Sequence, residues 1–136
     1  MFNVDDRWYL VDLPGYGYAK ASHAERTAFQ SLLSNYVSAR QELTAAIWLL
    51  DIRRDPSPDD VAMAEQLAAR RVPLLAAVTK ADKIPRRERA ERVQAILKNV
   101  GLPEDQAVLT SVKTGEGIRD LRDSIEALVA GRRAGA

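Results

Sequence analysis

Three short stretches of the chain place carboxylate, lysine, hydroxyl and glycine groups directly after apolar runs. The first is Asp12-Leu13-Pro14-Gly15, which follows Trp8-Tyr9-Leu10-Val11. A carboxylate at the end of a strand can hold a magnesium ion, directly or through water, and a glycine lets its backbone N–H approach a phosphate. Because Asp, Pro and Gly also fill ordinary turns, this stretch alone is weak evidence.

The second stretch, Thr79-Lys80-Ala81-Asp82, follows another apolar run. An Asp carboxylate can accept hydrogen bonds from both the ring N–H and the exocyclic amine of guanine, a pair that adenine does not offer. The lysine stem could lie along the face of the purine. A solvated loop between a strand and a helix is the plain alternative for this tetrapeptide taken alone.

The third stretch is Thr110-Ser111-Val112-Lys113, with Gly115 shortly after it. Its backbone N–H groups could donate to a guanine carbonyl oxygen, with Ser111 shaping the turn. Ser, Thr and Gly are equally common in plain loops. The three stretches become more informative together, because they follow successive strand-like runs in the order expected of a GTPase domain.

The elements that would position these stretches alternate between strand and helix patterns. Strands are predicted over 8–11, 45–50, 73–78 and 107–110, and helices over 23–40, 59–71, 85–101 and 115–130. The continuous apolar run 45–50 predicts a strand covered on both faces. Such alternation predicts an α/β fold with a mostly parallel sheet, whose ligands lie at the carboxyl ends of the strands.

The composition is that of one globular domain. The chain has 136 residues, of which 46% are hydrophobic and 29% charged, and a formal net charge of +1, so bulk charge identifies no nucleic-acid partner. It contains no cysteine, which excludes disulfides and thiolate metal sites. No apolar run approaches the roughly 18 residues of a membrane span, and the first residues do not resemble a secretory signal, so we expect a cytoplasmic protein without a membrane partner.

The run Trp8-Tyr9-Leu10-Val11-Asp12-Leu13-Pro14-Gly15-Tyr16-Gly17-Tyr18-Ala19-Lys20 resembles the EngB (YihA/YsxC) family of bacterial GTP-binding proteins. The aromatic-rich part after Asp12 is its discriminating piece. Leu49-Leu50-Asp51-Ile52-Arg53 and Thr79-Lys80-Ala81-Asp82-Lys83 are also similar to that family. The resemblance extends from about Phe2 to Leu128.

The resemblance implies a three-layer, P-loop GTPase-like α/β fold that binds GTP and GDP with Mg2+. It implies a phosphate-sensing switch formed by Asp12, Leu13, Pro14 and Gly15. Asp12 would lie on the magnesium side and act through water, and Gly15 would lie near the γ-phosphate. Guanine would be recognised by residues of the other two stretches: Thr79, Lys80, Ala81, Asp82, Leu109, Thr110 and Ser111. The family also implies a role in assembling the large ribosomal subunit, with its precursor rRNA and proteins as partners, and a link to cell division and septation.

The chain departs from the family pattern at one point. It contains no Gly-x-x-x-x-Gly-Lys-Ser/Thr, the P-loop that surrounds the phosphates and supplies a magnesium ligand. We therefore expect residues 1–130 to be a partial GTPase domain that lacks the first strand, the P-loop and the first switch, with impaired nucleotide binding. Residues 131–136 are expected to form a disordered tail. No catalytic residue is assigned, because Tyr16 stands where related GTPases carry a water-orienting Gln.

Two other functions remain open at this point. One is a nucleotide-independent module that interacts with the ribosome. The other is a phosphoacceptor receiver domain with Asp51 and Lys80 at strand ends, which leaves the aromatic-rich run unexplained. A further hypothesis concerns the basic helix face Arg86, Arg87, Arg89 and Arg92, which could contact rRNA. Its alternative is local pairing with Glu88 and Glu91 at i,i+3 and i,i+4 spacing.

Overall fold

A computed structural model describes residues 2–4, 8–10, 31 and 44–134. The chain divides into two compact units, Met1–Gln41 and Glu42–Ala136. Two predictions, the Asp12–Gly15 stretch and most of the helix over 23–40, lie outside the described residues; Ser31, within that range, is helical.

The first unit contains a short antiparallel pair. Strand β1 (Phe2–Val4) pairs with β2 (Trp8–Leu10), so that Phe2 lies opposite Leu10 and Val4 opposite Trp8. The strand predicted over 8–11 is confirmed over its described residues, 8–10. Strand β1 was not predicted, because three residues are too few to show a periodicity.

The second unit is built on three parallel strands in the order β3 (Ala46–Asp51), β4 (Leu74–Thr79) and β5 (Ala107–Leu109). Each predicted strand is confirmed: β3 and β4 are shifted by one residue at both ends, and β5 ends one residue earlier than predicted. Asp51 lies opposite Thr79, and Val78 lies opposite Leu109. The carboxyl ends of the strands are therefore level with one another, and the loops that follow them leave the sheet at the same edge.

The two longer strands differ in burial. Residues 74–78 of β4 are all buried, as expected for a strand covered on both faces. In β3, Trp48 and Leu50 are buried but Leu49 is 68% exposed. The prediction that 45–50 is covered on both faces is therefore wrong at Leu49. Because successive side chains of a strand point to opposite faces, Leu49 lies on the face opposite to Trp48 and Leu50, and at this position only their face is covered.

Helix α1 (Pro58–Ala69) begins with a capping box: the Asp60 backbone N–H donates to Ser57 Oγ at 3.1 Å, and the Ser57 N–H donates to Asp60 Oδ2 at 2.8 Å. Helix α2 (Arg86–Val100) follows Pro85 and ends at Gly101 in the left-handed conformation, φ 74°. The two helices pack together and bury six apolar side chains: Met63, Ala64, Leu67, Ile96, Leu97 and Val100.

Helix α3 (Ile118–Ala134) starts three residues later and ends four residues later than the predicted range 115–130. Its start is delayed because Gly115 and Gly117 have φ values of 83° and 74°, which a right-handed helix does not contain. In the part of the chain that the structure describes, no helix combines the length and the apolar character that crossing a membrane requires.

Candidate functional site

The second and third polar stretches meet at the carboxyl edge of the sheet, as predicted. The Thr110 backbone N–H donates to the carbonyl of Val78 at 2.7 Å, which extends the pairing of β4 and β5 beyond the last strand residue. The Ala81 N–H donates to the carbonyl of Thr110 at 3.1 Å. Ala81 is completely buried and Thr110 is 3% exposed, so these bonds fix the two stretches against each other away from water.

Asp82 and Ser111, one from each stretch, form a direct side-chain contact. The Ser111 hydroxyl donates to Asp82 Oδ1 at 2.7 Å, and Ser111 is only 1% exposed. This hydrogen bond is the main cause that lowers the pKa of Asp82 below its ordinary value, with a smaller contribution from the nearby charges of Lys83 and Lys113. The carboxylate is therefore ionised at neutral pH and has a fixed orientation.

The loop after Ser111 is a tight turn that closes on Ser111 itself. The Gly115 N–H donates to the Ser111 carbonyl at 2.8 Å, and the Ser111 N–H donates to the Glu116 carbonyl at 2.9 Å. The Thr114 N–H donates to Ser111 Oγ at 3.2 Å. Ser111 thus uses its N–H, carbonyl and hydroxyl in holding the turn, while Val112, at the tip, is 88% exposed.

Lys80 occupies the left-handed backbone region with φ 61° and ψ 36°, a conformation that is uncommon outside glycine and costs about 1 kcal/mol or more. Its Nζ lies 3.4 Å from Asp51 Oδ2, at the end of the neighbouring strand β3. The side chain is therefore directed across the carboxyl edge of the sheet, and 54% of it is exposed. This placement leaves one side of its stem open to a ligand.

Asp51 is more strongly bound to Arg53 than to Lys80. Arg53 Nε donates to Asp51 Oδ1 at 3.1 Å and its Nη2 donates to Oδ2 at 2.9 Å, a two-point pair, and the Arg53 N–H adds a third bond at 2.9 Å. Hydrogen bonding to Arg53 is the first cause that holds the pKa of Asp51 well below its usual range, and it raises the pKa of Arg53. Two cations thus neutralise this carboxylate.

The threonine side chains of the site turn toward backbone groups. Thr79 Oγ1 donates to the Leu50 carbonyl at 3.3 Å, and Thr110 Oγ1 donates to the Val78 carbonyl at 3.2 Å. Leu109, the last residue of β5, is half-buried. These three predicted residues therefore hold the strand ends in place, and Lys80 and Asp82 present the charged groups.

Two arginines of α2 have a role that sequence reasoning missed. Arg89 Nη1 donates to Glu116 Oε1 at 3.0 Å and Oε2 at 3.3 Å, while Arg92 donates to the Ile52 carbonyl at 3.0 Å and to Asp55 Oδ1 at 2.8 Å. For these two residues the predicted local pairing with Glu88 and Glu91 is wrong, since the side chains instead reach the loops after β5 and β3. Their carboxylate partners are 27 and 37 residues away, beyond the reach of a helical periodicity.

The predicted phosphate and magnesium residues, Asp12, Leu13, Pro14 and Gly15, lie outside the described residues. Within 44–134 and the short described segments before it, no group of three or more His, Cys, Asp or Glu side chains could hold a metal ion. Asp51 is a poor direct ligand because Arg53 and Lys80 already occupy its oxygens. The described residues thus do not themselves fit a magnesium site.

Comparison with known sequences links this geometry to one group of proteins, although no protein-family description matches the chain. A probable GTP-binding protein EngB of Syntrophomonas wolfei is 37% identical over 126 residues, which are 93% of this chain and 65% of that protein. A protein of the same name from Streptococcus pneumoniae strain Hungary19A-6 is 41% identical over 125 residues, 91% of this chain and 64% of that protein. The chain therefore spans slightly less than two thirds of the length of these relatives.

Comparison with solved structures agrees on the fold. The crystal structure of a probable GTP-binding protein engB superposes with a TM-score of 0.75 over 88% of this chain and 77% of that chain, at 19% sequence identity. At this identity the likeness concerns the fold alone, and it matches the parallel sheet and helices of a P-loop GTPase-like domain. Sequence and fold together make this chain a homologue of the EngB GTP-binding proteins.

Proposed function

We propose that this chain recognises guanine nucleotides through the two joined loops at the carboxyl edge of its sheet, Thr79–Asp82 and Leu109–Ser111. The observation that carries the proposal is the 2.7 Å hydrogen bond from Ser111 to Asp82, which orients an ionised carboxylate at the point where the loops meet. Both loops are anchored by buried backbone bonds, which fix the positions of Asp82 and Ser111 relative to each other. A prearranged site loses little conformational entropy on binding.

The chemistry of Asp82 explains the choice of base. Guanine offers a ring N–H and an exocyclic amine side by side, and a carboxylate can accept from both. Adenine lacks the ring N–H and would leave a carboxylate facing a ring nitrogen lone pair. Because a hydrogen bond to a charged group contributes about 1.5–3 kcal/mol, this difference alone supports a strong preference for guanine.

Lys80 and Asp51 complete the base site in this proposal. The Lys80 stem would lie along one face of the purine, while its ammonium stays next to the Asp51 carboxylate. An apolar stem can cover a ring while its charged end remains solvated, and 54% of the Lys80 side chain is exposed. The backbone N–H groups after Ser111 would donate to the guanine carbonyl oxygen.

The phosphate side of the nucleotide is assigned from the resemblance. Gly15 would approach the γ-phosphate, and Asp12 would hold Mg2+ through water, which would supply charge neutralisation at the phosphates. The 136 residues contain no P-loop sequence, so we expect this chain to bind GDP more weakly than a domain that has one. Any hydrolysis of GTP by this chain is expected to be slow.

We further propose the cellular role that the resemblance implies: assistance in assembling the large ribosomal subunit in the cytoplasm, with a link to cell division. The relatives' names state only that they are probable GTP-binding proteins. Pull-down of precursor rRNA and ribosomal proteins with the 136-residue chain, in the presence of GTP or GDP, tests this role. A nucleotide-independent yield would favour the second candidate, a ribosome-interaction module.

Titration of a fluorescent GDP analogue into the 136-residue chain, with the matching ADP analogue as the specificity control, tests the base site. We expect saturable binding of the GDP analogue and its displacement by unlabelled GDP but not by ADP. The variant Asp82→Ala should weaken binding by at least about tenfold. Asp105→Ala, which changes an exposed carboxylate shortly before β5, should leave binding unchanged. Equal binding of both analogues, or none, would overturn the proposal.

A further inference from the structure

A chain of contacts connects helix α2 to the carboxylate that faces the base. Arg89 on α2 donates to both carboxylate oxygens of Glu116. The Glu116 carbonyl accepts the Ser111 N–H at 2.9 Å. The Ser111 hydroxyl in turn donates to Asp82 Oδ1 at 2.7 Å. Three consecutive polar contacts therefore separate the Arg89 guanidinium from Asp82.

We propose that Arg89 and Glu116 are positioning residues for the guanine site: their ion pair fixes the 111–116 turn so that the Ser111 hydroxyl stays aligned on Asp82. This inference rests on the proposed function and adds to it a specificity-determining pair that does not touch the base. Neither residue belongs to the three polar stretches recognised in the sequence.

The burial of Arg89 gives the pair its strength. Its side chain is 14% exposed, and that of Glu116 is 36% exposed. A surface ion pair contributes about 0–1 kcal/mol, whereas a mostly buried arginine that loses its carboxylate becomes an uncompensated charge. The turn cannot move away from α2 without breaking both hydrogen bonds from Arg89 Nη1 to Glu116. The pair therefore restricts movement of Ser111 away from Asp82.

The position of Arg89 also explains how the two base loops are held together. Helix α2 starts at Arg86, four residues after Asp82, so Arg89 is tied through its own helix to the first loop and through Glu116 to the second. The pair thus joins both sides of the site at a point outside it. The backbone bond from Ala81 to Thr110 joins them at the sheet.

The same helix provides a matched control. One turn further along α2, Arg92 pairs with Asp55 at 2.8 Å, but this pair holds the loop after β3 and the Asp55 side chain is 74% exposed. It shares the helix, the pairing of an arginine with a carboxylate and the long sequence separation with the Arg89–Glu116 pair. Asp55→Asn should therefore show how the loss of an ion pair on α2 affects the protein when the Ser111 turn is not involved.

The experiment uses Glu116→Gln, Arg89→Met, the double variant and Asp55→Asn in the full chain. The first readout is the ratio of GDP to IDP affinity, since IDP lacks the exocyclic amine from which Asp82 would accept a hydrogen bond. We expect each Glu116 and Arg89 single variant to lower this ratio by about threefold to tenfold, and the double variant to lower it no further than the singles. Asp55→Asn should leave the ratio unchanged.

The second readout needs no nucleotide: the pKa of Asp82 in the free protein, followed by carboxyl 13C NMR. Loosening the turn weakens the Ser111 hydrogen bond, so the pKa of Asp82 should rise toward its ordinary value in Glu116→Gln and Arg89→Met and stay unchanged in Asp55→Asn. If the wild type does not select guanine, the proposed function fails while this pKa comparison still tests the positioning role. An unchanged Asp82 pKa in both folded variants would overturn that role.

Discussion

Lys80 Nζ lies 3.4 Å from Asp51 Oδ2, a contact across the ends of two adjacent strands. Asp51 and Thr79 are register partners, so the residue after Thr79 begins its loop directly beside Asp51. Arg53 occupies both oxygens of the same carboxylate. Asp51 therefore joins Arg53 and Lys80 through one carboxylate, so it contributes both to stability and to the placement of Lys80.

The first prediction concerns acid stability. Because the folded-state pKa of Asp51 is depressed below 3.8, its ionised form stabilises the fold at higher pH, and that stabilisation is lost as the pH falls below the unfolded value. Asp51→Asn removes it. Urea denaturation of both proteins should show a stability difference that is largest at neutral pH and shrinks between about pH 5 and pH 2. A difference that stays constant over this range would contradict the assignment.

A second prediction tests the base contact by changing its hydrogen-bond pattern. In Asp82→Asn the amide oxygen can accept the ring N–H, while the amide N–H group faces the exocyclic amine of guanine, donor against donor. Xanthine carries an oxygen at that position, so the variant should prefer XDP over GDP, the reverse of the wild type. Competition with both nucleotides in one fluorescence assay measures the preference. Retention of GDP preference in the variant would place Asp82 away from the base.

The third prediction concerns the contribution of the Ser111 hydroxyl to GDP affinity. Ser111→Ala removes the donor to Asp82 and the acceptor of the Thr114 N–H. Loss of a hydrogen bond of this kind costs about 1–2 kcal/mol, so GDP affinity should fall roughly fivefold to thirtyfold, with a rise in the pKa of Asp82. Isothermal titration calorimetry gives the affinity. Ser124→Ala, a serine of α3, serves as the control, and an equal loss in both variants would show a general effect on folding.

The sequence predicted the positions of the two polar stretches better than it predicted the contacts that support them. Thr79–Asp82 and Thr110–Lys113 were identified because their residue types can bind guanine and because both follow apolar runs. Parallel strands bring such stretches to one edge whatever the details of packing. The order of the elements therefore predicted that the two stretches would lie at one edge, and the Ser111–Asp82 hydrogen bond is a contact that the structure adds.

The supporting residues could not be predicted in the same way. Local spacing offers Glu88 and Glu91 as partners of the α2 arginines, but Arg89 and Arg92 each pair with a carboxylate on a distant loop. A local pair on an exposed helix face contributes only about 0.2–0.5 kcal/mol, so tertiary neighbours decide the outcome. Leu49 shows the same limit, since an apolar run indicates a strand but not which faces are covered.

The last prediction concerns Gly117, which connects the Ser111 turn to α3. It has φ 74°, and a Cβ added to it would overlap the carbonyl of Leu109 at the end of β5. Gly115 has a similar φ of 83°, but a Cβ added there would meet no atom within 4 Å. Comparing alanine substitutions at the two glycines therefore separates the cost of left-handed backbone strain from the cost of steric overlap.

Gly115→Ala should cost only the left-handed backbone strain, about 1–2 kcal/mol of unfolding free energy. Gly117→Ala should cost the same strain and, in addition, about 1–3 kcal/mol for displacing the Leu109 backbone. Urea denaturation measures both values. Since Leu109 precedes Thr110 and Ser111, the displacement should also reduce GDP affinity in Gly117→Ala more than in Gly115→Ala. If the two variants lose equal stability, the turn moves to remove the overlap and the Leu109 backbone stays in place.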